Sequence, residues 1–130
     1  MSDDTLEALY QAAKQLYEQQ HYHEATALFG ILSFFNAKQP IFWIGLGSCE
    51  YFCHHYEAAL FAYGMAMHAN PNDPAPHLYS CRCFEELKQI DNALNALNLA
   101  LFLIKGDESK NELRKQIEEE KRDLQSHKKG

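Results

Sequence analysis

The sequence lacks the features of membrane-spanning, exported and nucleic-acid-binding proteins. Its longest apolar run, near Leu99–Ile104, is far shorter than the roughly 20 residues that a transmembrane helix needs. The first residues contain neither the basic nor the apolar segment of a signal peptide. The 12 basic residues form no block before Lys128 and Lys129, and 18 acidic residues give a net charge of −6. We therefore expect a cytoplasmic protein without a membrane span and without a nucleic-acid partner.

Motifs of common enzyme classes are also absent. The sequence has no phosphate-binding loop and no motif for a serine or cysteine nucleophile. Gly45 and Gly47 have the spacing of a dinucleotide-binding turn, but they lie within a predicted helix and follow no strand. We interpret Gly47, and similarly Gly64, as small residues where helices approach closely. We expect no enzymatic activity and no cofactor.

What the sequence does contain is an internal repeat. Three segments align when they are shifted by 34 residues, and they begin at Leu6, Pro40 and Pro74. Small and large apolar residues recur at four positions: Tyr22, Tyr56 and Ile90 at position 17; Ala25, Ala59 and Ala93 at position 20; Phe29, Tyr63 and Leu97 at position 24; Leu32, Ala66 and Ala100 at position 27. This period is typical of the tetratricopeptide repeat (TPR), a pair of helices that buries its apolar face by stacking on neighbouring pairs.

The repeat predicts an all-α fold: three TPR hairpins that form a short right-handed solenoid with a C-terminal capping helix. We expect one domain over residues 1–130, with repeats at about 6–39, 40–73 and 74–107 and the last helix at about 108–126. The predicted helices are Asp4–Gln19, His23–Phe35, Pro40–Cys53, Tyr56–Ala69, Pro74–Leu87 and Asp91–Ile104, with a last helix from Ser109.

Helix ends are predicted from capping residues and from breakers. Asp3, Asp4, Thr5 and Asp91 are candidate N-terminal caps, and Ser109 with Glu112 has the capping-box spacing. The prolines and polar residues of the segment 70–74 cannot continue a helix.

The first helix of each hairpin is expected to line a concave groove in a TPR stack. The side chains one turn apart on that face, at positions 2, 5, 9 and 12, are the candidate contacts for a partner. The candidates are Tyr10, Lys14, Tyr17, Ile41, Ile44, Ser48, Tyr51, Leu78 and Arg82. Apolar and aromatic side chains dominate this set, as in surfaces that anchor a bound peptide. The alternative is that several of them pack against adjacent repeats.

The four cysteines allow a metal-site hypothesis. Cys49 and Cys53 lie one helical turn apart and are followed by His54 and His55, and thiolate and imidazole groups are ligands for zinc. The repeat offers a simpler interpretation, because Cys49 and Cys83 share a position that takes a small buried residue. A reduced compartment and no metal site are therefore expected.

The second and third repeats resemble a particular group of TPR proteins. The residues that carry the resemblance are Phe42–Cys49, Tyr56, Glu57, Ala59, Leu60, Ala62, Tyr63, Gly64, Ala66, Pro74, Pro76 and Cys81–Cys83. They are similar to the class II chaperones of type III secretion systems, the SycD/LcrH-like family, which hold hydrophobic translocator subunits in the bacterial cytoplasm before export. The likeness covers about residues 6–105 and is most specific between Phe42 and Ala66.

This resemblance implies a function and a mode of binding. The chain would keep a translocator soluble by holding an extended segment of it in the groove, without nucleotide or metal. A homodimer is also consistent with the resemblance, although the family's additional N-terminal helical segment is not seen before the first repeat. A needle or filament subunit as the client, and a general protein-interaction module, are the alternatives.

Overall fold

The structure is a computed structural model that describes residues 1–129, and within them all regular secondary structure is helical. The seven α-helices are α1 (Asp3–Glu18), α2 (Tyr22–Phe35), α3 (Pro40–Phe52), α4 (Tyr56–Ala69), α5 (Ala75–Glu86), α6 (Ile90–Leu103) and α7 (Asn111–Lys129). A short 3-10 turn, Glu108–Lys110, precedes α7. The all-α prediction is confirmed, and six helices end within one residue of their predicted limits.

The chain divides into two compact units. Unit 1, Met1–Pro71, contains α1 to α4, and unit 2 begins at Asn72 and contains α5 to α7. Their boundary falls within the breaker segment that the sequence predicts. No helix among the described residues combines the length and the hydropathy needed to cross a membrane.

Three of the predicted helix caps are wrong. α1 is capped by Ser2, whose Oγ accepts a hydrogen bond from the Thr5 amide at 3.2 Å. Asp107, with extended backbone, accepts from the Ser109 amide at 3.0 Å, so Ser109 is not the cap of the last helix. Hydrogen bonds from the hydroxyl and the amide of Ser109 hold the pKa of Asp107 below its usual value. The N-cap of α6 is the residue before Ile90, so Asp91 lies in the first turn. In each case the cap precedes the predicted residue because capping requires a non-helical backbone.

The periodic positions form the core of each unit. The three alanines at position 20, Ala25, Ala59 and Ala93, are completely buried. The large side chains at position 24 and the residues at position 27 are buried as well. Alanine where two helices meet lets their backbones approach, and the large residue one turn later fills the remaining space. The buried side chains therefore recur with the 34-residue spacing seen in the sequence.

The turn inside each hairpin has the same backbone conformation. Gln20, His54 and Lys88 all have positive φ, at 65°, 64° and 62°, and all three occupy position 15 of their repeats. The amide of the following residue donates a hydrogen bond to the carbonyl five residues earlier, as from Gln89 to Phe84 at 2.8 Å. This is the Schellman motif, which usually takes glycine at the left-handed position.

Two glycines allow α3 to fit between α2 and α4. A Cβ atom on Gly45 would clash with the ring of Phe29, and one on Gly47 would lie 2.6 Å from a ring carbon of Tyr63. Gly47 therefore has the predicted close-approach role. The same prediction for Gly64 is wrong, because a Cβ there would meet nothing within 4 Å.

We expect Gly47→Ala to destabilise the protein and Gly64→Ala to stabilise it. Both substitutions gain about 1 kcal/mol of helix propensity, but only the first also costs about 1–3 kcal/mol of overpacking against Tyr63. Urea unfolding of the two variants measures the difference, since the matched helix propensity cancels. Equal unfolding free energies for the two variants would mean that the Tyr63 ring moves aside without cost.

We expect Lys88→Gly to stabilise the protein slightly. Relief of the left-handed conformation contributes about 1–2 kcal/mol, and the larger entropy of glycine in the unfolded chain removes about 0.5–1 kcal/mol. Thermal unfolding should therefore show a small rise in the midpoint. Glu86→Gly, in the last turn of α5 and without a positive φ, is the control and should lower it.

Candidate functional site

One face of α1 carries three of the predicted groove residues. Tyr10, Lys14 and Tyr17 are all half-buried and lie at intervals of three or four residues along the helix. The Tyr10 ring packs against Phe42 of α3, with centroids 5.5 Å apart. The Lys14 ammonium lies 5.3 Å from the centre of the Tyr10 ring. The α1 face is therefore apolar at its base and carries one positive charge held against an aromatic ring.

Five rings form an aromatic cluster near the turns of unit 1. The cluster consists of Tyr17, Tyr22, Tyr51, Phe52 and Tyr56. Phe52 is its centre: it stacks on Tyr22 at 4.6 Å and meets Tyr51 and Tyr17 edge-on at 5.3 and 6.1 Å. Tyr51 also contacts Tyr56 at 5.6 Å. Large rings with polar tips in contact form a rigid surface that can anchor an apolar segment at low entropic cost.

The remaining candidates on α3 have different environments. Ile41 is 49% exposed, whereas Ile44 is half-buried. Ser48 is within hydrogen-bond distance of the Tyr63 hydroxyl of α4, at 3.0 Å. Ile41 is thus available to a partner, and Ser48 contributes to the packing of α3 on α4.

Unit 2 carries the last two candidates, both on α5. Leu78 is partly buried and packs against the core of that unit. Arg82 is exposed, and its guanidinium lies 5.7 Å from the centre of the Tyr79 ring. This unit therefore offers a cation and an aromatic ring next to an apolar side chain.

Tyr22 has a role that the repeat pattern does not predict. The pattern places Tyr22 at a packing position of the repeat, whereas in the structure its ring stacks on Phe52. Phe42 is buried, whereas Phe52 is exposed. Position 17 is aromatic in two repeats, and this was the available signal.

The cysteines behave as small apolar residues in three positions out of four. Cys49, Cys81 and Cys83 are completely buried, and all four thiols are free. Burial raises the pKa of Cys49 to about 12 and that of Cys83 to about 11. Such thiols remain protonated and unreactive at neutral pH. The predicted burial of Cys49 and Cys83 is confirmed.

One cluster of acidic groups lies in unit 2. The Cys81 Sγ lies 3.4 Å from a carboxylate oxygen of Glu85 and 3.9 Å from one of Glu120 on α7. Cys81, Glu85 and Glu120 are the one set of described residues whose ligand atoms lie close enough together to hold a metal ion. The histidines near Cys53 do not belong to this set. Burial and a hydrogen bond with Glu85 raise the pKa of Glu120, and Arg82 partly offsets this rise. Carboxylate oxygens of Glu85 and Glu120 lie within 4.8 Å of each other.

The sequence of this chain is similar to that of known proteins. No family model matches the sequence. Low calcium response locus protein H of Yersinia pestis is 28% identical over 104 residues, which make up 80% of this chain and 62% of that protein. The chain thus spans less than two thirds of the length of the curated relatives that it matches.

Solved structures place the chain in a structural class. The type III secretion translocator chaperone SycD of Yersinia enterocolitica has a TM-score of 0.90 and 25% identity, over 100% of this chain and 90% of that chain. SycD in complex with a peptide of the translocator YopD has a TM-score of 0.89 and 25% identity, over 98% and 97% of the two chains. The chain has the fold of the TPR-type translocator chaperones, and its resemblance to the SycD/LcrH-like family is confirmed.

We expect the stability of unit 2 to fall as the pH rises through the raised pKa of Glu120. A carboxyl group whose pKa is raised by folding stabilises the fold when it is protonated, so its contribution is present at acidic pH and is lost above that pKa. Glu120→Gln should therefore unfold at higher urea concentration than the wild type at pH 8, and the difference should shrink towards pH 5.

The control for this prediction is Glu119→Gln, which removes an exposed carboxylate from the same helix. It should change stability little at either pH. If both variants follow the same pH dependence, the pairing of Glu85 with Glu120 is not its source.

Proposed function

We propose that the chain is a cytoplasmic chaperone of a bacterial type III secretion system. It binds a hydrophobic translocator subunit and keeps it soluble until export. The observation that carries this proposal is the likeness, along nearly the whole of both chains, to SycD holding a peptide of the translocator YopD. The chaperone acts by binding alone, without enzymatic activity, cofactor or nucleic acid.

The surfaces proposed to hold the client are faces of the first helices of the hairpins, taken for each unit by itself. In unit 1 it combines Tyr10 and Lys14 on α1, Ile41 and Ile44 on α3, and the aromatic cluster at the turns. In unit 2, Leu78 and Arg82 occupy the corresponding face of α5. Ser48 supports this surface through its contact with Tyr63.

The chemistry of these faces suits an extended apolar segment. Tyrosine rings present flat apolar surface and hydroxyl groups that can bond to a peptide backbone. An extended strand has unpaired amide and carbonyl groups along its whole length, so it gains from polar groups that stand beside apolar pockets. Lys14 and Arg82 add positive charge suited to acidic side chains in the client.

We expect Tyr51→Ala to weaken client binding by about tenfold or more, because it removes a ring from the aromatic cluster. The test is co-expression of the chain with a translocator, followed by pull-down with the N-terminal segment of that translocator. Phe61→Ala is the matched control, because Phe61 is an exposed aromatic residue of α4 outside the cluster. Circular dichroism should show unchanged helix content in both variants.

Three outcomes would contradict the proposal. The wild-type chain could fail to capture any translocator while forming a soluble complex with a needle or filament subunit, which would keep the fold and change the client. Capture could be lost equally in both variants, which would remove the argument for the aromatic cluster. Capture could also persist unchanged in Tyr51→Ala.

A further inference from the structure

Two positions of α5 depart from the pattern of the other repeats. Position 8 is Ala13 in the first repeat and Gly47 in the second, whereas it is Cys81 in the third. Position 12 is tyrosine in the first two repeats and Glu85 in the third. Cys81 and Glu85 are four residues apart, so they lie on the same face of α5. The repeat thus packs elsewhere without either the thiol or the carboxylate.

The capping helix α7 brings a second carboxylate to this face. Ile117 and Leu124 of α7 are buried in the core of unit 2. Glu120 lies three residues after the first and four before the second, so it shares their apolar stripe. A charged group on the core-facing side of a helix is costly unless a hydrogen bond or an ion compensates for the lost water.

The sulfur and the two carboxylates converge on one point. Cys81 is completely buried, and its Sγ lies 3.4 Å from an oxygen of Glu85 and 3.9 Å from one of Glu120. A tetrahedral zinc ion has bonds of about 2.3 Å to sulfur and 2.0–2.1 Å to oxygen, which sets sulfur and oxygen about 3.5–3.6 Å apart. The two observed distances bracket this value, so the side chains already have nearly the spacing of zinc ligands.

The thiol alone cannot satisfy both carboxylates. It has one proton to donate, whereas ionised carboxylates only accept. Within residues 1–129 the Sγ of Cys81 has no other hydrogen-bond partner. Arg82 is exposed, and its guanidinium packs against the Tyr79 ring instead of pairing with either carboxylate. A fully buried sulfur therefore points at two oxygens with one hydrogen atom among the three, and a cation between them would satisfy all three.

We propose that Cys81, Glu85 and Glu120 form a zinc site that joins α5 to α7. The thiolate and the two carboxylates are three ligands, and a water molecule on the half-buried carboxylate side is the fourth. When zinc binds, the S–H bond breaks, a Zn–S bond forms and the proton leaves to solvent, so no other reactant is needed. The sulfur ligand favours zinc over magnesium or calcium.

The ion has a structural role in unit 2. Ile117 and Leu124 are the buried side chains in the described part of α7, and a metal bridge to α5 adds a constraint that this thin stripe does not provide. The site is distinct from Cys49, Cys53 and the histidines that follow them, which the sequence suggested as ligands. None of its three ligands is a candidate client contact, so the proposed client binding does not require the ion.

The test is zinc binding by the full chain after treatment with a chelator and a reductant. We expect calorimetric titration to give about one zinc ion per chain, and the thermal midpoint to rise with zinc. Glu120→Gln keeps the side-chain shape but removes a ligand, so it should weaken zinc binding by about tenfold or more. Glu119→Gln, which removes an exposed carboxylate from the same helix, is the matched control and should bind zinc like the wild type.

Cobalt as a probe identifies the sulfur ligand. Tetrahedral cobalt bound by a thiolate absorbs strongly in the visible range and shows a sulfur-to-metal charge-transfer band. We expect both signals in the wild type and in Cys83→Ala, whose missing thiol is equally buried but outside the cluster. Cys81→Ala should lose them, and it should fold because alanine occupies the same position in the first repeat.

Two results would overturn the proposal. A wild-type chain that binds no zinc at an excess of the ion would show that only protons occupy the cluster. Zinc binding that is unchanged in both Cys81→Ala and Glu120→Gln would place the ion elsewhere, such as at the histidines of the unit 1 turns.

Discussion

The contact between a large ring on a second helix and a glycine of α3 is the constraint on which unit 1 depends. Phe29 from α2 and Tyr63 from α4 each press against this helix, at Gly45 and Gly47. Because neither glycine has a side chain, α3 can lie close to both neighbours. Close packing of this kind tolerates little change in volume, so the position of α3 is set within narrow limits.

The candidate site is a consequence of that position. The end of α3 carries Tyr51 and Phe52, and the depth of this helix between its neighbours determines where their rings lie. Phe52 reaches Tyr17 and Tyr22 of the first hairpin only because α2 and α3 are close. The same packing that stabilises the fold thus assembles the aromatic cluster, and the site needs no loop of its own.

The helices and core positions could be predicted because the 34-residue period repeats the same packing problem three times. Three of the helix caps could not be predicted, because a cap depends on backbone dihedral angles just outside the helix. The contact of Glu120 with Cys81 could not be predicted from the sequence either. It joins residues 39 positions apart, and α7 has no counterpart in the repeat. The aromatic face of α1 and α3 was predicted, whereas the stacking of Tyr22 on Phe52 depends on how two turns meet.

The turns at position 15 bear on how such proteins diverge. Gln20, His54 and Lys88 share a left-handed backbone but no side-chain chemistry, so the hairpin is encoded there by hydrogen bonds of the main chain. Selection on that geometry leaves the residue type free to drift. Homologues of this kind can therefore lose recognisable sequence identity while their backbones still superimpose. Their relationship is then easier to detect by comparing structures than by comparing sequences.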